Sequence, residues 1–260
     1  MKGRGGHAAP GLEGGKVMYG WRGRIGLIIP SSNTTCEPEL QKMAPDGVSI
    51  HASRVYNPEV KSEEEKEAAI LQMNTEIERA AREVAGVEPA VIVYGCTTGS
   101  FLKGPGYDQE VEEKIFSQTG IQALTTTTAV VEAIKALNLK KIAMATPYTR
   151  GTAAKERDFL EKAIPGLRVV SEKNLELISN LARGRLLPFS AYQAAKEIVT
   201  PEVDGVFISC TNWRTIEIIE TLERDLGKPV VTSNQASMWL ALRKIRMAGI
   251  PGYGRLFSLV

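Results

Sequence analysis

Val91-Ile-Val-Tyr-Gly-Cys-Thr97 is a short apolar run that ends in a cysteine, and Val206-Phe-Ile-Ser-Cys-Thr211 repeats the pattern later in the chain. The similarity extends to segments on either side of each cysteine, which occur in the same order and at nearly equal distances. These flanking segments are Arg24–Ser31 matched with Lys141–Tyr148, and Ile121–Ala129 matched with Pro229–Ala236. Three matched landmarks in one order predict two related lobes, each delivering a cysteine to an equivalent place.

Apolar runs alternate with helical stretches along the rest of the chain, the pattern of an α/β protein with parallel strands. Residues 90–94 are all apolar or aromatic, as expected where helices cover both faces of a sheet. A capping box at Ser62 to Glu65 predicts a helix start, and an apolar stripe at spacings of three and four continues it to Val84. We therefore predict an α/β fold of two pseudo-symmetric lobes, each a parallel sheet flanked by helices, with the site in the cleft between them.

The domain boundaries follow from the repeat and from local composition. A flexible tail is expected at residues 1–23, which are rich in glycine and lack the apolar core of a signal peptide. The N-terminal lobe with the first cysteine is expected over 24–137, and the C-terminal lobe with the second over 138–260, whose last helix could pack on the first lobe. Met18 precedes the folded sequence and is a candidate for the true start, which the intact mass of natively expressed protein would test.

Composition and charge argue against several classes of function. A net charge of +2, with Lys and Arg scattered among acids, gives no electrostatic basis for nucleic-acid binding. No apolar run approaches the roughly 18 residues that a membrane helix needs. Three cysteines without Cys-x-x-Cys spacing, beside two histidines, favour reduced thiols in a cytoplasmic protein over a disulfide framework or a metal site. Phosphate-loop and dinucleotide motifs are absent, so we expect no metal, no cofactor, no nucleic acid and no membrane partner.

Cys96 and Cys210 each lie directly after a predicted buried strand, at the edge of a parallel sheet where ligands bind. The free amides and the positive end of a following helix would lower the pKa of such a thiol below its usual value of about 8.5. Two cysteines on opposite sides of one substrate could move protons on and off carbon without a cofactor. Neighbouring hydroxyl and amide groups could hold a carboxylate, and these belong to Thr97, Thr98, Thr211 and Asn212.

These residues also have purely structural interpretations. A single buried cysteine is more often a small apolar side chain than a nucleophile, and only the repeat argues otherwise here. Cys36 has no counterpart in the second half and is expected to be structural. His51 is the one histidine outside the tail that a Cys-His dyad could use, and its polar, strand-like surroundings argue against that role. Arg214 is expected to pair with Glu217 rather than with a substrate.

Four motifs in register resemble the maleate cis-trans isomerase branch of the Asp/Glu racemase superfamily, which is related to arylmalonate decarboxylase. They are Pro30–Thr35, Gly95–Ser100, Ala145–Tyr148, and Ser209–Arg214 followed by Thr232–Ala236. The resemblance covers nearly the whole chain from about Tyr19 onward. It implies an enzyme that needs neither an organic cofactor nor a metal, and a homodimer or larger homo-oligomer.

The resemblance also implies roles for individual residues. Cys96 would be the nucleophile or base on one face of the substrate, and Cys210 the acid or base on the other. Asn33, Tyr148 and Asn180 would bind substrate carboxylates, although the sequence around Asn180 matches only loosely. From the sequence alone, Asn33 could instead cap a helix and Tyr148 could be ordinary packing. Arylmalonate decarboxylases keep only the second cysteine, so the presence of the first argues against that activity.

Three hypotheses for the function remain open at this point. The favoured one is a cofactor-independent cis-trans isomerase of a small dicarboxylate, of the maleate to fumarate type, using two opposed cysteines. An amino-acid or hydantoin racemase would use the same cysteines as acid and base to invert a stereocentre next to a carboxylate. A non-catalytic dicarboxylate-binding or thiol-switch protein is the third.

Overall fold

Each half of the chain builds one four-stranded parallel sheet in a computed structural model that describes residues 18–260. The strands are β1 (Gly23–Pro30), β2 (Val48–Val55), β3 (Val91–Tyr94), β4 (Ala123–Thr125), β5 (Lys141–Thr146), β6 (Arg168–Asn174), β7 (Gly205–Ile208) and β8 (Val230–Thr232). The first sheet has the order β2-β1-β3-β4 and the second has the order β6-β5-β7-β8. The two orders are the same, so the sequence repeat is a repeat of topology. Of the predicted tail, residues 1–17 lie outside the described residues.

Helices occupy the connections between these strands. They are α1 (Cys36–Met43), α2 (Glu63–Met73), α3 (Ile77–Ala85), α4 (Thr97–Phe101), α5 (Tyr107–Thr119), α6 (Thr126–Ala136), α7 (Arg150–Ala163), α8 (Asn180–Gly184), α9 (Pro188–Ile198), α10 (Ile219–Leu226), α11 (Ser233–Lys244) and α12 (Gly254–Phe257). None of the helices between residues 18 and 260 is long and apolar enough to cross a membrane.

The apolar composition of β1 follows from burial on both of its faces. Ile25, Leu27 and Ile29 join a core that continues into the second lobe, whereas Ile28 joins a smaller core beneath α3 and α5. Since side chains alternate between the faces of a strand, a strand covered on both sides must be apolar throughout. The equivalent helices α6 and α11 follow β4 and β8 directly and pack on each other. The α/β fold of two related sheets flanked by helices is therefore confirmed.

The single helix predicted from residue 62 to Val84 was wrong in one respect. The Ser62 hydroxyl does accept from the Glu65 N–H at 3.2 Å, but α2 and α3 are separated by a tighter turn at residues 74–76. Asn74, at the start of this turn, is buried and donates to the Gly99 carbonyl at 2.8 Å and to the Tyr107 hydroxyl at 2.9 Å. The turn between α2 and α3 therefore places the polar side chain of Asn74 inside the protein, where it forms hydrogen bonds that an apolar side chain could not form.

Other boundaries also differ from the sequence prediction. The alternation of strands and helices in the sequence predicts a helix from about Arg214 to Leu226 and a last helix from about Ser237 to Met247, but α10 begins at Ile219 and α11 begins at Ser233. The Thr232 hydroxyl caps this helix, since it accepts from the Gln235 N–H at 3.3 Å while the Gln235 side chain accepts from the Thr232 N–H. Helix α5 follows Gly104 and Gly106, which the sequence predicts to lie in a turn and which both adopt positive φ angles. Local capping and glycine-rich turns thus moved helix ends by several residues.

A buried carboxylate joins the two halves. Glu39 on α1 accepts from the backbone N–H groups of Thr215 (2.7 Å) and Ile216 (3.3 Å), and from the side chain of Asn234 (2.6 Å). Burial raises its pKa to about 7, and the hydrogen bonds from these three donors act in the opposite direction. Asn234 also donates to the Thr211 carbonyl, next to Cys210, at 3.0 Å. One side chain of the first lobe therefore orders the loop that carries the second cysteine.

Replacing Glu39 by Ala should lower the free energy of unfolding by about 2–4 kcal/mol, because several buried donors lose their acceptor at once. Chemical denaturation at pH 8 would measure the change. Glu37→Ala is the matched control, since this carboxylate of the same helix is partly exposed and pairs with Arg54 at the surface. Its effect should stay within about 1 kcal/mol. Equal effects of the two variants would contradict the assigned role of Glu39.

Candidate active site

A cavity of about 540 Å³, including its open mouth, lies between the carboxyl ends of the two sheets. The loops after β1, β3, β5 and β7 contribute to its wall, and so do helix α2 and the segment before it. Eight of the nine predicted site residues line it: Asn33, Cys96, Thr97, Thr98, Tyr148, Asn180, Cys210 and Thr211. The ninth, Asn212, does not. Residues from both halves of the chain thus meet at one place, as ligand sites in parallel sheets do.

Cys96 lies between β3 and α4 and acts as the N-cap of that helix. Its Sγ accepts from the Gly99 N–H at 3.3 Å. Gly99 has no room for a side chain, since a Cβ there would lie 2.4 Å from the Tyr94 hydroxyl and 3.0 Å from Sγ of Cys96. The Tyr94 hydroxyl donates to Asn74, so the back of the cysteine loop is held by a buried polar network.

Cys210 adopts a backbone conformation that residues other than glycine rarely use, with φ of 103°. Its Sγ accepts from the Asn212 N–H at 3.4 Å, and its own N–H donates to the Ser233 hydroxyl at 3.0 Å. Strain of this kind persists only where surrounding contacts enforce it, and it is typical of functional sites. The loop therefore holds Cys210 in a defined orientation at the cavity wall.

The predicted lowering of the thiol pKa was wrong for both cysteines. Cys96 and Cys210 are only 8% and 4% exposed. Burial raises the pKa of Cys96 to about 11, and the hydrogen bond from Gly99 offsets only part of that rise. Burial also raises the pKa of Cys210, against the opposing effect of the nearby Arg183 charge. Loss of hydration outweighs the effect of the helix end on the pKa, so both thiols are protonated at neutral pH.

Hydrogen bonds between the lobes fix the two cysteine loops against each other. The Ser233 hydroxyl, which accepts from Cys210, also accepts from the Thr97 hydroxyl at 3.3 Å. The Thr211 hydroxyl donates to the Gly95 carbonyl at 3.2 Å and accepts from the side chain of Asn33 at 3.0 Å. Each cysteine is thus one residue away from a hydrogen bond to the opposite lobe.

Asn33 and Asn212 form hydrogen bonds that stabilise the fold around the cavity. The Asn33 side-chain oxygen accepts from the N–H groups of Thr35 and Cys36, both at 2.9 Å, and so caps α1. The Asn212 side chain accepts from the Thr34 N–H at 2.9 Å and donates to the Asn180 carbonyl at 2.7 Å. Asn33 still lines the cavity, but Asn212 acts as a brace behind it.

Tyr148 and Asn180 belong to the second lobe and lie at the cavity wall. The Tyr148 ring is 2% exposed, and its pKa is raised by burial. The Nζ of Lys66 lies 5.2 Å from the centre of that ring, and the guanidinium carbon of Arg183 lies 4.8 Å from it. Asn180 donates to the Ser32 hydroxyl at 2.8 Å, which links α8 to the loop after β1.

Lys66, Arg183 and Glu156 are the ionisable groups of the site that sequence analysis missed. Lys66 follows three glutamates at a helix start, and Arg183 stands in a short helix, positions typical of exposed charges. Both are nevertheless buried and line the cavity. Glu156 lies behind the wall, where its Oε1 accepts from Ser209 at 2.6 Å and its Oε2 has no partner among the described residues. Helix periodicity gave no sign that these charges face inward.

The remaining candidates lie away from the cavity. Cys36 is fully buried in the main core, and His51 bonds to Ser49 through its Nε2 at 2.8 Å on β2. Arg214 pairs with Glu217 at 2.6 Å, as expected. Within residues 18–260, no group of three or more His, Cys, Asp or Glu side chains is arranged to hold a metal ion.

Sequence comparison gives matches along nearly the whole chain. The family described as Amdase, arylmalonate decarboxylase, matches residues 25–257. Maleate isomerase of Nocardia farcinica is 33% identical over 244 residues, which cover 90% of this chain and 94% of that protein. Arylmalonate decarboxylase of Bordetella bronchiseptica is 29% identical over 244 residues, which cover 90% and 96% of the two chains.

Solved structures with the same fold include two maleate isomerases. That of Nocardia farcinica, a cysteine-to-serine mutant with a covalently bound succinylcysteine intermediate, has a TM-score of 0.83 at 30% identity and covers 91% of this chain and 98% of that one. That of Pseudomonas putida, a cysteine-to-alanine mutant with maleate, has a TM-score of 0.84 at 25% identity and covers 90% and 97%.

Gly99→Ala should disturb the first cysteine without removing it. The new methyl group must displace the Tyr94 hydroxyl or the Cys96 sulfur, at a cost of about 1–3 kcal/mol in the free energy of unfolding. Because the Gly99 N–H to Sγ bond is weakened, alkylation of Cys96 by iodoacetamide should also slow at a given pH. Peptide mass spectrometry would follow the alkylation. Gly86→Ala, at the end of α3, is the control, and an equal loss of stability there would contradict this account.

Glu156→Gln should change how stability depends on pH. Burial raises the pKa of Glu156 to about 8, above its usual value of 4.5, so the folded protein holds a proton that the unfolded chain releases. This favours folding at low pH, and the contribution is lost as pH rises through about 8. The parent should therefore lose stability relative to Glu156→Gln between pH 5 and pH 9. Chemical denaturation of both proteins at each pH would measure this difference in the free energy of unfolding.

Asp158→Asn, an exposed change on the same helix, is the control for the Glu156 variant. Its difference from the parent should stay nearly constant over the same pH range. A constant difference for Glu156→Gln as well would show that this carboxyl is ionised in the folded protein at neutral pH.

Proposed function

The chain belongs to the arylmalonate decarboxylase family, and within it we propose a cofactor-independent cis-trans isomerase that converts maleate to fumarate. Family membership, expected from four sequence motifs, is confirmed by the match over residues 25–257. The chain is an isomerase, since several curated maleate isomerases match 90% of its length. The main support for the conversion of maleate to fumarate is that Cys96 and Cys210, which occupy equivalent places in the repeat, line one cavity.

A covalent intermediate is the chemical basis of the proposal. The relative from Nocardia farcinica carries a succinylcysteine, the product of thiol addition to a four-carbon unsaturated diacid. In this chain the corresponding step is addition of the Cys96 thiolate to one alkene carbon, which converts the double bond into a single bond. The electron pair of the broken π bond moves onto the adjacent carboxylate as an enediolate. Polar groups at the cavity wall, including Asn33 and Asn180, are suited to stabilise that charge.

Cys210 completes the cycle as acid and then base. Its S–H protonates the second alkene carbon, giving a succinyl thioether on Cys96 and a thiolate at Cys210. Rotation about the new single bond exchanges the cis and trans arrangements. The Cys210 thiolate removes a proton from the same carbon, the C–S bond breaks, and fumarate leaves with Cys96 again a thiolate. The pair shares one proton throughout, so no proton is gained or lost over the cycle.

Activation of the pair has a physical requirement. Since burial keeps both thiols protonated at neutral pH, one proton must leave before addition. The Arg183 charge lowers the pKa of both cysteines against the larger effect of burial. A positively charged wall therefore favours the single-thiolate state that the cycle requires.

Decarboxylation of an arylmalonate and racemisation next to a carboxylate are the two competing activities. The matched family is named for arylmalonate decarboxylase, and a relative of that name is 29% identical. Racemisation next to a carboxylate would use the same two cysteines. A homo-oligomer and a cytoplasmic location remain predictions from the sequence.

Purified protein should convert maleate to fumarate, followed by the alkene proton signals in NMR spectra. Cys96→Ser should lose at least about a thousandfold in kcat, because an alcohol is a far weaker nucleophile than a thiolate at neutral pH. Cys210→Ser should stall after addition, so intact-mass spectrometry should detect one maleate bound to the protein, at Cys96. Cys36→Ala is the control and should retain turnover.

Phenylmalonate, aspartate and glutamate serve as the competing substrates, followed by carbon dioxide release and chiral chromatography. Turnover of one of these without turnover of maleate would replace the proposed activity. Binding of dicarboxylates without any turnover would point to a non-catalytic protein.

A further inference from the structure

Lys66 brings a buried positive charge from the first lobe to the second. It lies on α2, its side chain lines the cavity, and the residue is 5% exposed. Its Nζ donates to the Thr152 hydroxyl on α7 at 3.2 Å. This is the single hydrogen bond that Nζ makes among the described residues, although an ammonium group can donate three. No carboxylate oxygen of residues 18–260 lies within 4.0 Å of it.

Arg183 places a second charge on the other lobe, beside the same aromatic ring. Its Nε and Nη2 donate to the carbonyl groups of Leu177 and Ile178 at 2.6–3.1 Å. Its Nη1 makes no hydrogen bond within the described part of the chain, and no acid forms an ion pair with it there. Arg183 is 4% exposed and lines the cavity. Both cations approach the ring of Tyr148, at 5.2 and 4.8 Å from its centre.

Among residues 18–260, no acid forms an ion pair with Lys66 or Arg183. Glu63 lies one turn before Lys66 but its Oε1 accepts from Thr149 and from Thr152, the latter at 2.7 Å. Glu156 is largely protonated at neutral pH, because burial raises its pKa to about 8. Glu59 lines the mouth of the cavity and is exposed to solvent. The inner wall therefore carries two basic side chains, Lys66 and Arg183, and the residues that line the cavity include no carboxylate apart from Glu59 at its mouth.

An uncompensated buried cation is costly, and the protein shows that cost. The pKa of Lys66 is lowered to about 7, first by burial and then by the charge of Arg183. Glu63, Cys96 and Cys210 act in the opposite direction without compensating for it. An anion between the two cations would replace the lost hydration of both. Neutral side chains such as asparagine and tyrosine cannot balance the charge of Lys66 and Arg183.

We infer that Lys66 and Arg183 form a cation pair that selects a dianionic dicarboxylate, with Lys66 as the residue that distinguishes it from a monoanion. The inference rests on the proposed function and specifies the substrate by its charge. One basic group comes from each lobe, so a substrate with two ionised carboxylates places a negative charge near each of them. A monoanion of the same shape leaves one buried charge unpaired.

Binding of two unreactive ligands tests the inference independently of turnover. Succinate is a dianion at pH 7.5, and succinamate is its monoanionic amide of nearly the same shape. Isothermal titration calorimetry should show that the parent binds succinate more tightly. Lys66→Met should reduce that preference by about tenfold to a hundredfold, the range for hydrogen bonds between charged groups. Lys66→Arg keeps the charge and should preserve most of the preference.

Lys155→Met is the matched control. Lys155 on α7 also joins the lobes, through an ion pair with Glu67 at 2.5 Å, but it is exposed and does not line this cavity. Its ligand preference should equal that of the parent. A purely structural role of Lys66 would weaken both ligands alike and leave the ratio unchanged, which would overturn the inference. Lys66→Gln provides the same test if the Met variant does not fold.

Maleate turnover separates this inference from the proposed function. A Lys66-dependent preference for succinate without maleate turnover would refute the isomerase and keep the cation pair. Maleate turnover with an unchanged preference in Lys66→Met would refute the cation pair and keep the isomerase. A parent protein that neither binds succinate nor converts maleate would refute both.

Discussion

Burial of two thiols and two cations in one cavity between the lobes is the condition on which the rest of the site depends. Low hydration raises the pKa of Cys96 and Cys210 and lowers that of Lys66 to about 7, so at neutral pH the thiols are protonated and Lys66 keeps only part of its charge. A negative charge bound beside these groups would raise the pKa of Lys66 and of both thiols. The chemistry of the site is therefore coupled to occupancy of the cavity, rather than to any one residue being reactive in isolation.

The duplicated fold explains how such a costly site is held together. Two sheets of the same strand order bring two equivalent loops to one place, and hydrogen bonds through Ser233, Thr211 and Glu39 fix those loops across the interface. Unpaired, these buried polar groups would each cost about 1–3 kcal/mol. Paired across the lobes, they fix the position of one cysteine loop relative to the other. The same contacts hold Cys210 at its positive φ angle.

The charged and the neutral polar side chains of the cavity have different roles. Asn33 and Thr211 are committed to a helix cap and to contacts between the lobes, so part of the polar wall is structural as well as available to a ligand. Lys66 and Arg183 have hydrogen-bonding capacity left over. In our proposal the two cations select an anionic substrate, whereas the neutral side chains set the shape of the pocket and the orientation of its loops.

The sequence determined the α/β class, the repeat and the place of both cysteines, because strand composition and matched order are local properties that survive in any context. Eight of the residues that line the cavity could also be predicted from the sequence motifs, but the lining from α2 and the segment before it could not. Tertiary structure decided the rest. The interruption at Asn74, the raised thiol pKa values and the inward direction of Lys66, Arg183 and Glu156 all depend on groups that meet only after folding. Burial of a charge is set by what surrounds it in space, which periodicity along one helix cannot reveal.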